Sequence, residues 1–296
     1  MGVYSSVVNK HTKEIQMGIN VLSLFDGMSC GRIALERAGI EVDNYYSSEV
    51  DKWAIKVADK NWPQDTKNRL GDIDNWDWWD IDWRTIDLVI GGSPCQSISN
   101  LGDRSGLDGK SSLFFKFVDC LEEARRHNPD VKFLLENVVG NKKSIGVISE
   151  IVGVEPTMIN SNLVSAQNRK RYYWTDIEDI TQPKEKDIRL VDILEDGIPD
   201  ESILSPGRLR WLLSEKGQNT VAKKYAVIDP IKANCITARS DASWNSNYVT
   251  RMGCLTKLTP VEYERLQTVP DNYTDCVSNS QRYKMLGNGW TVEVVK

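Results

Sequence analysis

Five short apolar runs, each closed by a polar residue, alternate with helix-like stretches through the first half of this chain. They are "INVLSLF" (19–25), "VDNYYSS" (42–48), a short run ending near Asp72, "IDLVIGG" (86–92) and "VKFLLEN" (131–137). Between them "CGRIALERAG" (30–39), with Gly39 as a stop, and "DKWAIKVADKNW" (51–62), ended by Pro63, have helical patterning. A further helix is expected over 111–127. Near-continuous apolar strands separated by helices bury both faces of a sheet, so the expected fold is α/β with a doubly wound, mostly parallel sheet.

In such a sheet ligands bind outside the carboxyl ends of the strands, which gives the closing polar residues a meaning. Strand one ends at Phe25-Asp26-Gly27, and Met28-Ser29-Cys30-Gly31 opens a helix. Gly27 and Gly31 allow a tight turn close to a ligand, but the run is not G-x-G-x-x-G and no lysine follows. Pyrophosphate binding is therefore disfavoured. Glu49 ends strand two, 22 residues after Gly27, the spacing of a carboxylate that holds a ribose. Asp72 ends strand three, where it can accept from an adenine amino group. Two such acids beside a glycine turn without phosphate chemistry suggest an adenosine ligand lacking phosphates, and S-adenosylmethionine fits. Strand four stops on Ser93-Pro94-Cys95, and Pro94 ends the strand so that Cys95 falls just past the sheet edge. Strand five delivers Glu136-Asn137; a carboxylate after "KFLLE" is costly to bury without a partner.

Taken in order, these stretches resemble the DNA (cytosine-5)-methyltransferases from Val21 to Val295. "LFDGMSCG" is similar to the family's methionine-binding loop, "SSEVD" to its ribose carboxylate and "GDI" to its adenine-side acid. "GGSPCQS" resembles the nucleophile loop, "LLENV" the base-recognition strand and "QNRKR" (167–171) the paired-arginine motif. "LTPVEYERLQ" (258–267) and "LGNGWTV" (286–292) resemble the last two signatures. The spellings "VLSLFDG", "LVIGGSPC" and "LFFKF" lean toward the eukaryotic de novo enzymes and similar phage enzymes, whereas "QNRKR" and "LGNGW" look bacterial.

The resemblance implies a Rossmann-like S-adenosylmethionine methyltransferase sheet with a small irregular target-recognition domain. It implies S-adenosylmethionine as methyl donor, S-adenosylhomocysteine as product, no metal and double-stranded DNA as partner. Cys95 would be the nucleophile that adds to cytosine C6, Glu136 would hold N3 and the exocyclic amine, and Arg171 would reach the O2 side while Arg169 orders the site. Chemistry of this kind requires a base flipped out of the duplex. The cofactor would be held by Phe25, Asp26, Gly27, Met28, Ser29, Cys30 and Gly31, by Glu49 and Val50, by Asp72 and Ile73, and by Pro94. Asn288 would support its methionine end, and Trp290 would pack on it or in the core. Gln96 and Ser97 would meet DNA beside the nucleophile.

Composition bounds the rest. Six cysteines without C-x-x-C spacing and two histidines disfavour a disulfide framework or a zinc site, and a reducing compartment fits. No apolar run approaches the ~18 residues of a membrane span, so a monomer in the cytoplasm of a bacterial or phage-infected cell, near the nucleoid, is expected. Net charge is −5, yet Ser205–Lys257 holds nine basic residues against three acids, a local +6 suited to a phosphate backbone. Within it Lys223 and Lys224 would contact phosphates, while Arg239, Asn245 and Asn247 lie in a Ser/Asn-rich loop that could enter a groove. The expected division is a mobile extension over 1–18, a catalytic and cofactor domain over 19–177, a target-recognition region over 178–256 and a return to the catalytic domain over 257–296. By the resemblance, a further helix closing the large domain would follow Val295-Lys296. The rival readings are a tRNA cytosine-5-methyltransferase of the same family and a non-enzymatic DNA-binding relative. The first usually carries Pro-Pro-Cys and a Cys-Phe-Thr signature, neither of which occurs here. The run "DIDNWDWWDIDWR" (72–84) has no explanation at this level.

Overall fold

The structure is a computed structural model that describes residues 18–94, 112–138, 140 and 142–296. The expected N-terminal extension, apart from Gly18, and Cys95, Gln96 and Ser97 lie outside the described residues.

The first half follows the alternation. β1 (Ile19–Leu24), α1 (Cys30–Arg37), β2 (Val42–Ser48), α2 (Lys52–Asn61), β3 (Arg69–Gly71) and β4 (Leu88–Gly91) lead to α3 (Ser112–His127), β5 (Lys132–Val138) and α4 (Lys142–Val152). Then come β6 (Thr157–Asn160), β7 (Gln167–Asn168) and β8 (Lys170–Thr175). Seven of these strands form one sheet in the order β3-β2-β1-β4-β5-β8-β6. From β3 to β5 every pairing is parallel, and β8 runs antiparallel between β5 and β6. The mostly parallel, doubly wound sheet expected from the strand pattern is therefore present. One side of it packs on α3 and α4 through Leu22, Val89, Phe114, Phe117, Phe133 and Trp174. On the tryptophan-rich run, Trp76, Trp79 and Trp83 pack against that same core, and Trp76 meets Trp83 edge to face at 6.1 Å. The run thus works as a sheet-edge cover, with Trp78 left 83% exposed.

Local chemistry sets the element ends. Asp51 caps α2 by accepting from the Trp53 amide at 2.9 Å, and Gly39 stops α1 at φ 72°. The strand expected over 157–166 is shorter: Asn160 ends it by accepting from Asn162 N, and Ser161–Leu163 coil into a 3-10 turn. Helix α4 escaped the sequence reading because its apolar residues are β-branched, a composition shared with strands.

After β8 come α5 (Pro206–Leu213), α6 (Glu215–Ala222), β9 (Val227–Ile228), β10 (Ala233–Asn234), β11 (Asn247–Arg251) and β12 (Cys254–Lys257). Strands β9, β11 and β12 make a small sheet, and β10 pairs with β7. The region has a small core of its own around Leu204, Leu212, Ala226 and Tyr248. Yet Leu190, Ala233, Ile236 and Val249 join one core with Met28, Ile33 and the closing helices α7 (Pro260–Leu266), α8 (Asn279–Asn288) and α9 (Val292–Val295). Helix α7 starts as its sequence indicates: Thr259 and Glu262 form a capping box, with Pro260 in the first turn. Among the described residues no helix is long and apolar enough to cross a membrane.

The closing helix α8 lies directly on the backbone of Thr237-Ala238. A Cβ at Gly287 would stand 2.1 Å from the Thr237 carbonyl carbon and 2.3 Å from the Ala238 nitrogen. Backbone cannot yield as a side-chain tip can. Gly287→Ala is therefore expected to cost about 1–3 kcal/mol, as overpacking does, read as a lower urea midpoint; an unchanged midpoint would show that the two segments separate freely.

Candidate active site

The carboxyl ends of β1, β2, β4 and β5 open into a cleft of about 590 Å³, within the range that holds small organic ligands. Its first wall is the turn after β1, which is strained. Phe25, Gly27 and Ser29 all have positive φ, at 56°, 60° and 64°, and for the two non-glycine residues this costs of order 1–3 kcal/mol each. Two carboxylates hold it. Asp26, buried, accepts from Ser23 Oγ and Tyr45 OH at 2.7 Å each and from Ser29 Oγ at 2.6 Å. Glu49 accepts from Gly27 N through Oε2 at 2.8 Å, and from Val50 N and Asp51 N through Oε1.

Most residues expected at the cofactor come together here. Phe25, Asp26, Gly27, Met28, Cys30 and Gly31 line the cleft, as do Glu49, Val50, Asp72, Ile73, Pro94, Asn288 and Trp290. Ser29 is the exception: it is 1% exposed and its hydroxyl is spent on Asp26, so it shapes the turn rather than the cavity. Asp72 faces the cleft while accepting from Asp74 N at 3.0 Å, which fixes its carboxylate. At the rim Lys284 of α8 bridges to Asp51 at 2.7 Å. Burial pushes the Asp51 carboxyl up, but Lys284 and the amides at the start of α2 outweigh it and hold it below the usual range. Burial pushes the Cys30 thiol up to about 12, so it stays protonated and inert at neutral pH.

The second wall carries the charge. Glu136 on β5 pairs with Arg171 on β8, Oε1 to Nε at 2.8 Å, with both side chains mostly buried. The antiparallel register explains the meeting. Arg171 lies opposite Val138, two residues along from Glu136, so the two side chains are diagonal neighbours on one face. Trp290 Nε1 donates to the other oxygen, Oε2, at 3.1 Å. Asn137 donates to Ser93 O at 2.9 Å and to Ser93 Oγ at 3.1 Å, tying β5 to the segment that leads to Cys95. Sequence reasoning noted Asn137 only as a strand end; its short amide beside a buried serine was the available signal.

Arg169 borders the cleft, but its guanidinium is spent on backbone carbonyls. It is 4% exposed, and its guanidinium donates to Ile236 O and Gly289 O at 2.9 Å each and to Gly287 O at 3.4 Å. It joins the link between β7 and β8, the segment after β10 and the turn that ends α8.

Four basic residues of the +6 stretch are tied to internal partners, so only part of it is a free positive surface. Arg251 is buried on Glu262 at 2.7 Å, Lys257 and Arg208 share Asp241, and Lys232 caps the carbonyls of Asn162 and Ser165. Among the described residues Arg210, Lys216, Lys223, Lys224 and Arg239 have no ion-pair partner, and Lys223 and Lys224 stand exposed at the end of α6. Asn247 is also corrected. It is 2% exposed and exchanges two hydrogen bonds with Asn234 across β11 and β10, so it cannot reach a groove. Arg239 and Asn245 line a second cavity of about 450 Å³, which shares Thr237 with the main cleft.

With that geometry in hand, comparison with known proteins is decisive. The family model for C-5 cytosine-specific DNA methylases matches residues 19–146 and 210–296. The chain belongs to this family. It is an S-adenosylmethionine-dependent methyltransferase acting at cytosine C5. This methylase is 28% identical to the type II methyltransferase M.HpaII of Haemophilus parainfluenzae, over 99% of its own length and 91% of the relative's. It is 32% identical to the orphan methyltransferase M.Rho11sI of Bacillus phage rho11s, over 70% of this chain and 37% of that one. Its fold matches the Entamoeba histolytica methyltransferase EhMeth with a TM-score of 0.71 at 18% identity, covering 95% of this chain and 96% of that one.

In the methylase the Arg169 knot is a sharp test of how the site is assembled. Lysine at 169 keeps the charge but cannot serve three divergent carbonyls. Arg169→Lys is expected to lower stability by about 1–3 kcal/mol, the cost of a buried acceptor left unpaired. Urea unfolding reads this directly, and wild-type stability would mean that the carbonyls find other donors.

Proposed function

We propose that this methylase modifies cytosine in double-stranded DNA, with the target base swung out of the helix and attacked at C6 by Cys95. The observation that carries this reading is the position of Glu136. Its carboxylate lies where the cleft half lined by Phe25, Glu49 and Asp72 meets the half lined by Arg171, beside the Gly92-Ser93-Pro94 segment that precedes Cys95 in the sequence.

The adenosine-side residues fit the methyl donor. Glu49 and Asp72 supply acceptors at two strand ends, the backbone approaches closely at Gly27, and no lysine follows the Gly27–Gly31 turn as it would in a P-loop. Glu49 would hold the ribose, Asp72 and Ile73 the adenine, and Asn288 the methionine end. When bound, S-adenosylmethionine supplies a methyl group activated by a positive sulfur.

Cytosine C5 is too weak a nucleophile to take that methyl group unaided. The Cys95 thiolate would form a bond to C6, and the C5=C6 electron pair would move onto C5. Glu136 would face N3 and the exocyclic amine, delivering a proton at N3 as negative charge builds on the ring. Arg171 would stand toward O2. After methylation, loss of the C5 proton restores the double bond and expels Cys95. A base stacked in a duplex cannot receive this attack, and methyltransferases of nucleobases solve that by flipping.

The recognition of neighbouring bases falls to the second cavity. Arg239 and Asn245 carry the donors and acceptors that read base edges, and both converge there. Lys223 and Lys224 would serve phosphates.

Two experiments test this. Wild-type protein incubated with S-adenosylmethionine and DNA containing 5-fluorocytosine should form a stable covalent adduct, since fluorine cannot leave as a proton does. Cys95→Ser should form none, and Glu136→Gln should lose turnover by orders of magnitude while binding S-adenosylhomocysteine nearly as wild type. An adduct with Cys95→Ser, or methyl transfer to tRNA in preference to DNA, would overturn the assignment. Separately, Arg239→Ala should alter which cytosines are methylated in a genome-wide map, whereas Lys223→Ala should weaken all sites alike and flatten the salt dependence. An unchanged map at normal rates would move recognition away from Arg239.

A further inference from the structure

Trp290 follows Gly289 in the turn after α8, and its indole stands between the two halves of the cleft. Its Nε1 donates to Glu136 Oε2 at 3.1 Å, while Arg171 Nε holds Oε1 at 2.8 Å. Space for this contact is made by a glycine. A Cβ at Gly92 would come 2.9 Å from Trp290 Nε1 and 3.1 Å from Glu136 Oε2, so any side chain there would wedge the pair apart. Across the ring, a Cβ at Gly31 would stand 3.5 Å from Trp290 Cζ3.

Packing alone does not account for the arrangement. An indole N–H is only a donor and needs an acceptor when it is taken out of water. Here that acceptor is the one carboxylate at the seam of the cleft. The turn that carries Trp290 is fixed in its own right, because Arg169 binds the carbonyls of Gly287 and Gly289 on either side of Asn288.

We infer that Trp290 is a positioning residue for Glu136. Arg171 and Trp290 each take one carboxylate oxygen, which fixes the rotation of the carboxylate plane before a base arrives. Each oxygen keeps a second lone-pair site, so both donors can stay in place while the base is engaged. The paired arginines then act on Glu136 by two routes, Arg171 directly and Arg169 through the turn of Trp290. This rests on the proposed role of Glu136 toward the base.

The test uses Trp290→Phe, which keeps a ring and removes the N–H. If Trp290 acts through Glu136, kcat falls about tenfold or more, the size of a hydrogen bond to a charged group. The KM for S-adenosylmethionine should stay within about twofold, because the same loss of transition-state stabilisation leaves ground-state binding alone. In a Glu136→Ala background the further substitution Trp290→Phe should change the single-turnover rate less than about twofold, as expected for residues acting as a unit. A raised KM with unchanged kcat would assign Trp290 to cofactor packing and overturn the inference, as would an undiminished effect in the Glu136→Ala background. Should Trp290→Phe not fold, nitrogen-15 spectra of the tryptophan indoles decide. Glu136→Ala should move one indole N–H resonance upfield well beyond the others, and spectra without such a shift overturn the inference. A Glu136→Gln enzyme with full turnover would instead remove the reading of Glu136 itself.

Discussion

A single buried guanidinium holds this active site together. Arg169 lies between β7 and β8, yet its donors end on Ile236 and on Gly287 and Gly289, residues that lie 67, 118 and 120 positions further along the chain. A cation at 4% exposure is stable only where carbonyl dipoles replace the water it has lost. Here the carbonyls belong to the segment after β10 and to the end of α8, which are distant in sequence. Gln167 reinforces the knot from two residues away, donating to Leu266 O and to the Gln267 side chain at 2.8 Å each. The cleft roof, at Thr237 and Ala238, and the turn of Trp290 therefore share one anchor. Disturbing it loosens both sides at once.

The opposite wall depends on strain rather than on a buried cation. Three positive φ angles within five residues turn the chain sharply from β1 into α1, and no local preference favours that at Phe25 or Ser29. Asp26 and Glu49 supply the compensation from either side of the turn. Both are acids the sequence marks as candidate ligands, and the structure gives each a structural duty as well. That double use is chemically consistent. Glu49 accepts two amide N–H bonds on Oε1 and one on Oε2, which leaves one lone-pair site on Oε2 for a hydroxyl.

Why the cleft was legible follows from the sheet. A buried parallel strand must be apolar throughout and must end where polar residues can meet solvent, so Glu49, Asp72, Pro94 and Glu136 announce themselves by interrupting apolar runs. The register of β8 against β5 is a different kind of fact. Nothing in "QNRKR" shows that Arg171 will lie diagonal to Glu136, because antiparallel pairing between distant strands is decided by the whole sheet. The Trp290 N–H was invisible for the same reason: one atom 154 positions from its acceptor carries no periodic signal. The charge count tells how many cations the stretch holds but not which of them are exposed. Arg251 finds Glu262 in α7, outside the stretch whose charge was summed, and Asn247 begins a strand rather than extending a loop.

Internal pairing within the basic stretch decides which of its charges reach the surface. Lys232 meets only carbonyls, and Arg208 and Lys257 share one carboxylate, so the stretch keeps a positive field, with Lys223 and Lys224 at its surface. Asp72, Asp74, Asp77, Asp80 and Asp82 crowd the segment after β3, opposed only by Arg84, at the edge strand of the sheet furthest from β8 and β6. The molecule thus has an acidic run beside one sheet edge, while Lys223 and Lys224 stand exposed in the region that β10 joins to β7. A chain of net charge −5 approaching a polyanion is repelled on average, so orientation matters more than total charge. The Arg239 cavity is lined by residues of the basic stretch. Because that cavity shares Thr237 with the cleft, and Arg169 fixes the backbone at Ile236, docking there would be felt on the frame that also carries Trp290.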